Sequence, residues 1–187
     1  MTSRSIKVAV SAYLDTCVIS GYVKSELEAN ERSAFEKIMT AYTSGKIDLL
    51  RSEIVEREIA AIPDRYRTPH HELLSTFLSI PVPPVGGLTR LGPCGSPMAN
   101  PSRMLKQRLS EILPDENDQW HIFVAARNRV RFFITVDIRT ILSRRERVMA
   151  ASGVEPVTPA EFVAHPSSPL QGAQQGAPGD APKAARP

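Results

Sequence analysis

Apolar residues dominate positions 6–14, where only Lys7 and Ser11 interrupt Ile6, Val8, Ala9, Val10, Ala12, Tyr13 and Leu14. A short run of this kind, alternating imperfectly, predicts a central strand of a parallel sheet, covered on both faces. A turn and short helix follow over 18–22. The period then changes: Phe35, Ile38, Met39 and Tyr42 recur at spacings of three and four. That spacing predicts an amphipathic helix over 31–43, stopped at Ser44-Gly45. Residues 47–50 read as a second strand. Ser52 reads as the N-cap of a helix reaching about residue 62, with Glu53 favourable in its first turn and Pro63 ending it. Thr68-Pro69, a cap followed by proline, signals a further helix to about 79.

The second half repeats the alternation. Residues 80–85 suggest a proline-broken edge strand, and the Gly/Pro-rich segment 86–101 a long loop that is either functional or mobile. Helices are expected over 102–113 and, beyond Pro114, over 118–129. A buried strand over 132–136 leads to a basic helix over 140–151, closed by Gly153. A last short strand over 154–157 precedes a helical turn capped by Thr158-Pro159 and ending at 164. Strands alternating with helices predict an α/β fold, a three-layer α/β/α sandwich around a mostly parallel sheet. Residues 1–165 form the expected domain. From 166 to 187 the chain turns to Pro, Ala, Gly, Ser and Gln, too poor in apolar area to offset ordering entropy, and a disordered tail is expected.

Composition narrows the classes. A chain of 187 residues with 42% hydrophobic and 23% charged residues fits one ordinary globular domain. No apolar stretch is long enough for a membrane span, so no membrane partner is expected. The opening Met-Thr-Ser-Arg-Ser leads straight into the first strand, so no signal peptide is expected. Two cysteines, Cys17 and Cys94, make neither a disulfide framework nor a CxxC zinc pair, and suit a reducing cytoplasm. The net charge of +3 is compatible with a nucleic-acid partner without requiring one.

The chemistry lies in four acids. Asp15 and Asp137 end strand-like runs; Glu58 and Asp118 sit in the opening turns of predicted helices. Acids just past buried parallel strands stand at the sheet's C-terminal edge, where open α/β folds place their sites. Several carboxylates gathered there repel one another unless a cation lies between them, and oxygen ligands suit Mg²⁺ or Mn²⁺. Thr16 and Thr135 can orient such a ligand, or serve simple strand and turn chemistry. Asp115 is an outer-shell neighbour or a helix-start charge, and His121 a base or a packed, hydrogen-bonded histidine. Arg139, Arg144, Arg145 and Arg147 follow the last acid and either hold RNA phosphates or form a solvated face. Trp120 and Phe123 offer base stacking but fit a core helix better.

Together the four segments resemble the PIN-domain family of metal-dependent ribonucleases, most of all bacterial toxins of the virulence-associated protein C type. The resemblance rests on Tyr13-Leu14-Asp15-Thr16, on 52–59 around Glu58, on Asn117-Asp118-Gln119-Trp120-His121-Ile122 with Ala125-Ala126, and on Phe133-Ile134-Thr135-Val136-Asp137. Residues 157–162 are similar to the usual end of that domain. The resemblance implies Mg²⁺- or Mn²⁺-dependent RNA hydrolysis, with Asp15, Glu58, Asp118 and Asp137 as catalytic and metal-binding residues. It allows for an antitoxin protein as partner and for a homodimer. The loop 86–101 and the overall length exceed those of compact toxins of this type. A non-cleaving RNA- or protein-binding module is the alternative. A haloacid-dehalogenase phosphatase fits poorly, since it wants an aspartate two residues after the first, where this chain has Cys17.

Overall fold

β1 (Val10–Leu14), β2 (Ile47–Leu50), β3 (Phe132–Ile134) and β4 (Glu155–Val157) form one sheet in the order β2–β1–β3–β4, every pairing parallel. The structure is a computed structural model and describes residues 10–83, 101–168 and 170. Residues 6–9 of the expected first strand, most of the expected loop 86–101 and most of the tail lie outside the described residues. The helices are α1 (Thr16–Val23), α2 (Ala29–Thr43), α3 (Val55–Ala60), α4 (Asp64–Arg67), α5 (His71–Leu78), α6 (Pro101–Ser110), α7 (Glu116–Arg127), α8 (Arg145–Ser152) and α9 (Pro159–Ala164).

Strand alternation divides the core into two layers. Ala12, Leu14, Phe132 and Ile134 face one side, with Phe35 and Ile38 of α2 and Phe162 of α9. Tyr13 and Phe133 face the other, with Leu109 of α6, Phe123 of α7 and Val148 of α8. The Tyr13 and Phe133 rings stack at 5.0 Å across neighbouring strands, a contact adding about 0.5–1.5 kcal/mol beyond its buried area. The fold is therefore the expected α/β sandwich, helices on both faces of a parallel sheet. From β1 the chain crosses outward to β2, then returns to β3 on the other side of β1 and moves away again to β4. Right-handed crossovers in opposite directions put their helices on opposite faces, as α2 and α8 are. The strand order thus reverses between β1 and β3, and in open α/β sheets ligands bind outside the carboxyl ends at that point.

Local signals set several boundaries. Gly153 ends α8 at φ 74°, a left-handed conformation glycine adopts without steric cost. Thr158 and Glu161 form a reciprocal capping box at the start of α9.

Three expectations fail for physical reasons. Ser52 does not cap a helix: α3 starts only at Val55, and the Ser52 hydroxyl turns inward to His121, 2.9 Å from Nδ1. Thr68 caps no α-helix: α4 already begins at Asp64 right after Pro63, and the expected helix opens as a 3₁₀ turn over 68–70 that leads into α5, with Pro69 removing a donor from the α-helical ladder. Residues 81–83 are not a strand. Proline supplies no N–H for a ladder, and the carbonyls of Leu78 and Ile80 instead accept bonds from the buried Arg51 guanidinium, at 2.7 and 2.9 Å. The packed chain also passes the expected boundary at 165, because Ser168 is buried and Leu170 rests on the first core layer.

Candidate active site

Asp15 leaves β1 at the point of strand reversal. Its N–H donates to the Ile134 carbonyl at 3.0 Å, extending the β1–β3 pairing by one residue, while Thr135 N–H reaches Val157 at 2.9 Å. Both residues are thus fixed by main-chain bonds at the carboxyl ends of adjacent strands. Asp15 stands at the N-cap of α1 but caps nothing with its side chain. Its Oδ2 accepts instead from the Thr135 hydroxyl at 2.7 Å and the Cys17 thiol at 2.9 Å. Burial of the sulfur, together with the Asp15 charge, pushes the Cys17 pKa up, so the thiol stays a donor.

Glu58 arrives from α3, on the first-layer side of the sheet. Oε2 accepts from the Thr16 hydroxyl at 2.5 Å; Oε1 lies 3.2 Å from His121 Nε2 and 3.4 Å from the Asn117 amide. Burial alone would raise the Glu58 pKa, but the bonds from His121 and Thr16 outweigh it and the carboxyl is held below its usual value. His121, 2% exposed, also has Nδ1 at 2.5 Å from the Tyr13 hydroxyl. It is the packed, hydrogen-bonded histidine of the two readings. Burial works against its proton, but the Glu58 bond and the charges of Asp15, Glu58 and Asp118 win, so its pKa is raised.

Asp118 lies in the first turn of α7. Burial and then the charges of Asp15, Asp115 and Asp137 push its carboxyl from 3.8 to about 6, against an opposing hydrogen bond from Thr140. Asp137 follows β3, and its two oxygens take the Thr140 N–H, at 2.9 Å, and the Thr140 hydroxyl. A carboxylate has about four lone-pair sites, so Asp137 keeps acceptor capacity for the cavity.

These four acids, from four separate segments, line one cavity of about 230 Å³ with Thr16, Cys17, Ser20 and His121. Among the described residues, no lysine or arginine lines it. The donor chemistry fits a hard divalent cation: carboxylate oxygens, with no fixed positive charge to neutralise them. Among the described residues no group of three His, Cys, Asp or Glu is already set to hold one. Asp15 and Glu58 turn to hydroxyl, thiol and imidazole partners. Asp15, Glu58, Asp118 and Asp137 are the residues that would hold the ion.

Compared with family models, characterised proteins and solved structures, the chain matches none.

The remaining candidates divide. Thr16 and Thr135 each donate to a cavity carboxylate. Asp115 instead caps α7, accepting from the N–H groups of Asn117 and Asp118 at 2.8 and 3.2 Å, and reaches the cavity only through its charge. Glu53 and Glu56 face elsewhere, bonded to Trp120 and Arg51. Phe123 is core, and Trp120 stacks on it at 5.4 Å. In the basic run, Arg144 donates to the Arg139 and Thr140 carbonyls, Arg145 forms a two-pronged pair with Glu161, and Arg147 bonds the Glu111 carbonyl. Arg139, two residues past Asp137, is exposed. Tyr13 and Ser52 escaped the sequence reading as site residues. One reads as strand core and the other as a cap, and only the fold brings both to His121.

Proposed function

We propose that this protein is a metal-dependent RNA endonuclease of the PIN type. The observation that carries the reading is the convergence of Asp15, Glu58, Asp118 and Asp137 on one cavity at the reversal of strand order, with no lysine or arginine lining it among the described residues. A bound Mg²⁺ or Mn²⁺ would lower the pKa of water and neutralise phosphoryl oxygens, the two requirements of phosphodiester hydrolysis. The chain's own residues do the rest. Thr135 and Cys17 orient Asp15, and Thr16 and His121 orient Glu58. Arg139, exposed and two residues past Asp137, holds a backbone phosphate of the RNA. The resemblance adds a cytoplasmic location and the role of toxin in a toxin–antitoxin pair, so that induced expression arrests growth and co-expression of the antitoxin relieves it. Among the described residues no helix is long and apolar enough to cross a membrane.

The engagement of Glu58 and Asp137 by internal donors favours a second reading, a module that binds RNA or protein without cleaving. One assay separates them. Purified protein is incubated with an RNA panel in Mg²⁺ or Mn²⁺, with and without chelator, beside Asp15→Ala. Cleavage that stops with chelator and in the variant supports the nuclease. RNA binding with no cleavage under any condition leaves the second reading.

A further inference from the structure

His121 lies deeper than the four acids and presents both ring nitrogens to fixed partners. Nε2 faces Glu58 Oε1 at 3.2 Å. An ionised carboxylate only accepts, so Nε2 carries the proton and donates. In the neutral ring Nδ1 then has one lone pair to accept with, and the Tyr13 hydroxyl at 2.5 Å and the Ser52 hydroxyl at 2.9 Å are the two groups placed to fill it. The ring is also wedged edge-on against Tyr13, centroids 5.6 Å apart. Three elements therefore fix one tautomer: β1 through Tyr13, the β2–α3 turn through Ser52, and α7 through the ring's own backbone.

Glu58 needs this. It sits on α3, a helix of six residues, and reaches the cavity by a long, flexible side chain. Thr16 holds one oxygen and His121 the other, from opposite sides. We propose that His121 is the positioning residue for Glu58, and that the relay from Tyr13 and Ser52 through the imidazole sets where the carboxylate stands in the cavity. What Glu58 does in hydrolysis rests on the nuclease reading; its placement by His121 does not. An outer-shell partner of this kind is worth about 10–100-fold in metal affinity or activity.

The test uses the full chain and two readouts. Ring ¹⁵N chemical shifts at alkaline pH, where imidazole is neutral, report the tautomer without metal or RNA. The expected result is a proton on Nε2; a proton on Nδ1 overturns the proposal. Mn²⁺ affinity is then measured by calorimetry without RNA for wild type, His121→Phe, His121→Gln and Tyr13→Phe. His121→Phe should weaken binding about 10–100-fold. His121→Gln, whose amide N–H₂ falls near Nε2, should recover most of that, and Tyr13→Phe should fall between. In a Glu58→Gln background, His121→Phe should cost nothing more, because the two residues act as one unit. Wild-type affinity in His121→Phe, or a full additional loss in the Glu58→Gln background, overturns the proposal. If His121→Phe does not fold, the glutamine variant and the ring shifts decide. If wild type binds no Mn²⁺, the nuclease reading fails by itself, and the ring shifts, with the proton on Nε2 or on Nδ1, decide the positioning role.

Discussion

Replacing Asp118 by asparagine should stabilise the metal-free protein, and the gain can be worked from its surroundings. The Asp118 carboxyl is pushed from 3.8 to about 6 by burial and by Asp15, Asp115 and Asp137. This is a folded-state value above the unfolded one, so ionised Asp118 opposes folding. The penalty is absent below pH 3.8, grows as pH rises, and is complete above about pH 6. At about 1.4 kcal/mol per pKa unit the ceiling is about 3 kcal/mol. Asp118 is only half-buried, and solvent screening reduces this to about 1–2 kcal/mol. For a chain of this size that is about 2–8 °C in Tm. Asparagine keeps the shape while removing the charge. Thermal melts in chelator should therefore show Asp118→Asn above wild type at neutral pH, with the gap closing near pH 4 as the wild-type carboxyl protonates. Added Mg²⁺ should narrow or invert the gap, since only wild type gains the full binding free energy. RNA cleavage by the variant should be lost. An Asp118→Asn protein that melts at or below wild type at neutral pH in chelator would refute the electrostatic account and make Asp118 a structural residue of α7.

The arginines give a paired test: Arg139→Ala should raise KM for RNA and reduce the salt slope of binding by about 1, while Arg145→Ala should leave RNA affinity unchanged and cost about 0.2–1 kcal/mol through the lost Glu161 pair. Equal effects on RNA affinity would show that ion pairing does not sort the run. Truncation separates the tail from the domain: ending the chain after Leu170 should leave Tm unchanged, while ending it after His165 should lower it by a few degrees, about 1–2 kcal/mol of lost burial. Identical melts for the two truncations would show that the Ser168–Leu170 contact contributes nothing.

The parts of the fold that depend on neighbours in sequence were legible in it. The strand at 47–50 and the stop at Gly153 appear where the periodicity and the glycine rule put them. So does the Thr158 cap, because its partner Glu161 is three residues away. The four acids were legible as strand-end and helix-start positions, and topology brings them to one cavity. What could not be read are choices settled by distant partners. Ser52 has the local credentials of a cap, yet a buried histidine 69 residues away claims its hydroxyl, and that hydroxyl, itself fully buried, needs a partner. Asp115 reads on sequence as an outer-shell neighbour or a helix-start charge, and the extended backbone at Asp115 makes it the α7 cap. The arginine run is uniform as letters. Only the fold, which brings Glu161 of α9 to Arg145, reveals that this arginine is already paired.

Within the cavity, two carboxylates of similar intrinsic acidity are driven in opposite directions. Glu58 is met by three donors and its proton affinity falls; Asp118 is raised by burial first and then by the charges of other carboxylates. Divergent environments around paired acids mark divergent roles. Glu58 is a fixed anion, already satisfied by the protein, with its geometry set before any ligand arrives. Asp118 is destabilised as an anion by burial and by its acidic neighbours, and a cation would relieve it. A divalent ion entering the cavity must displace the Asp118 proton below about pH 6, so ion affinity should climb with pH to that point and then level off. The same repulsion that costs the empty protein stability is what an incoming cation relieves, which ties the instability of the site to its capacity to bind.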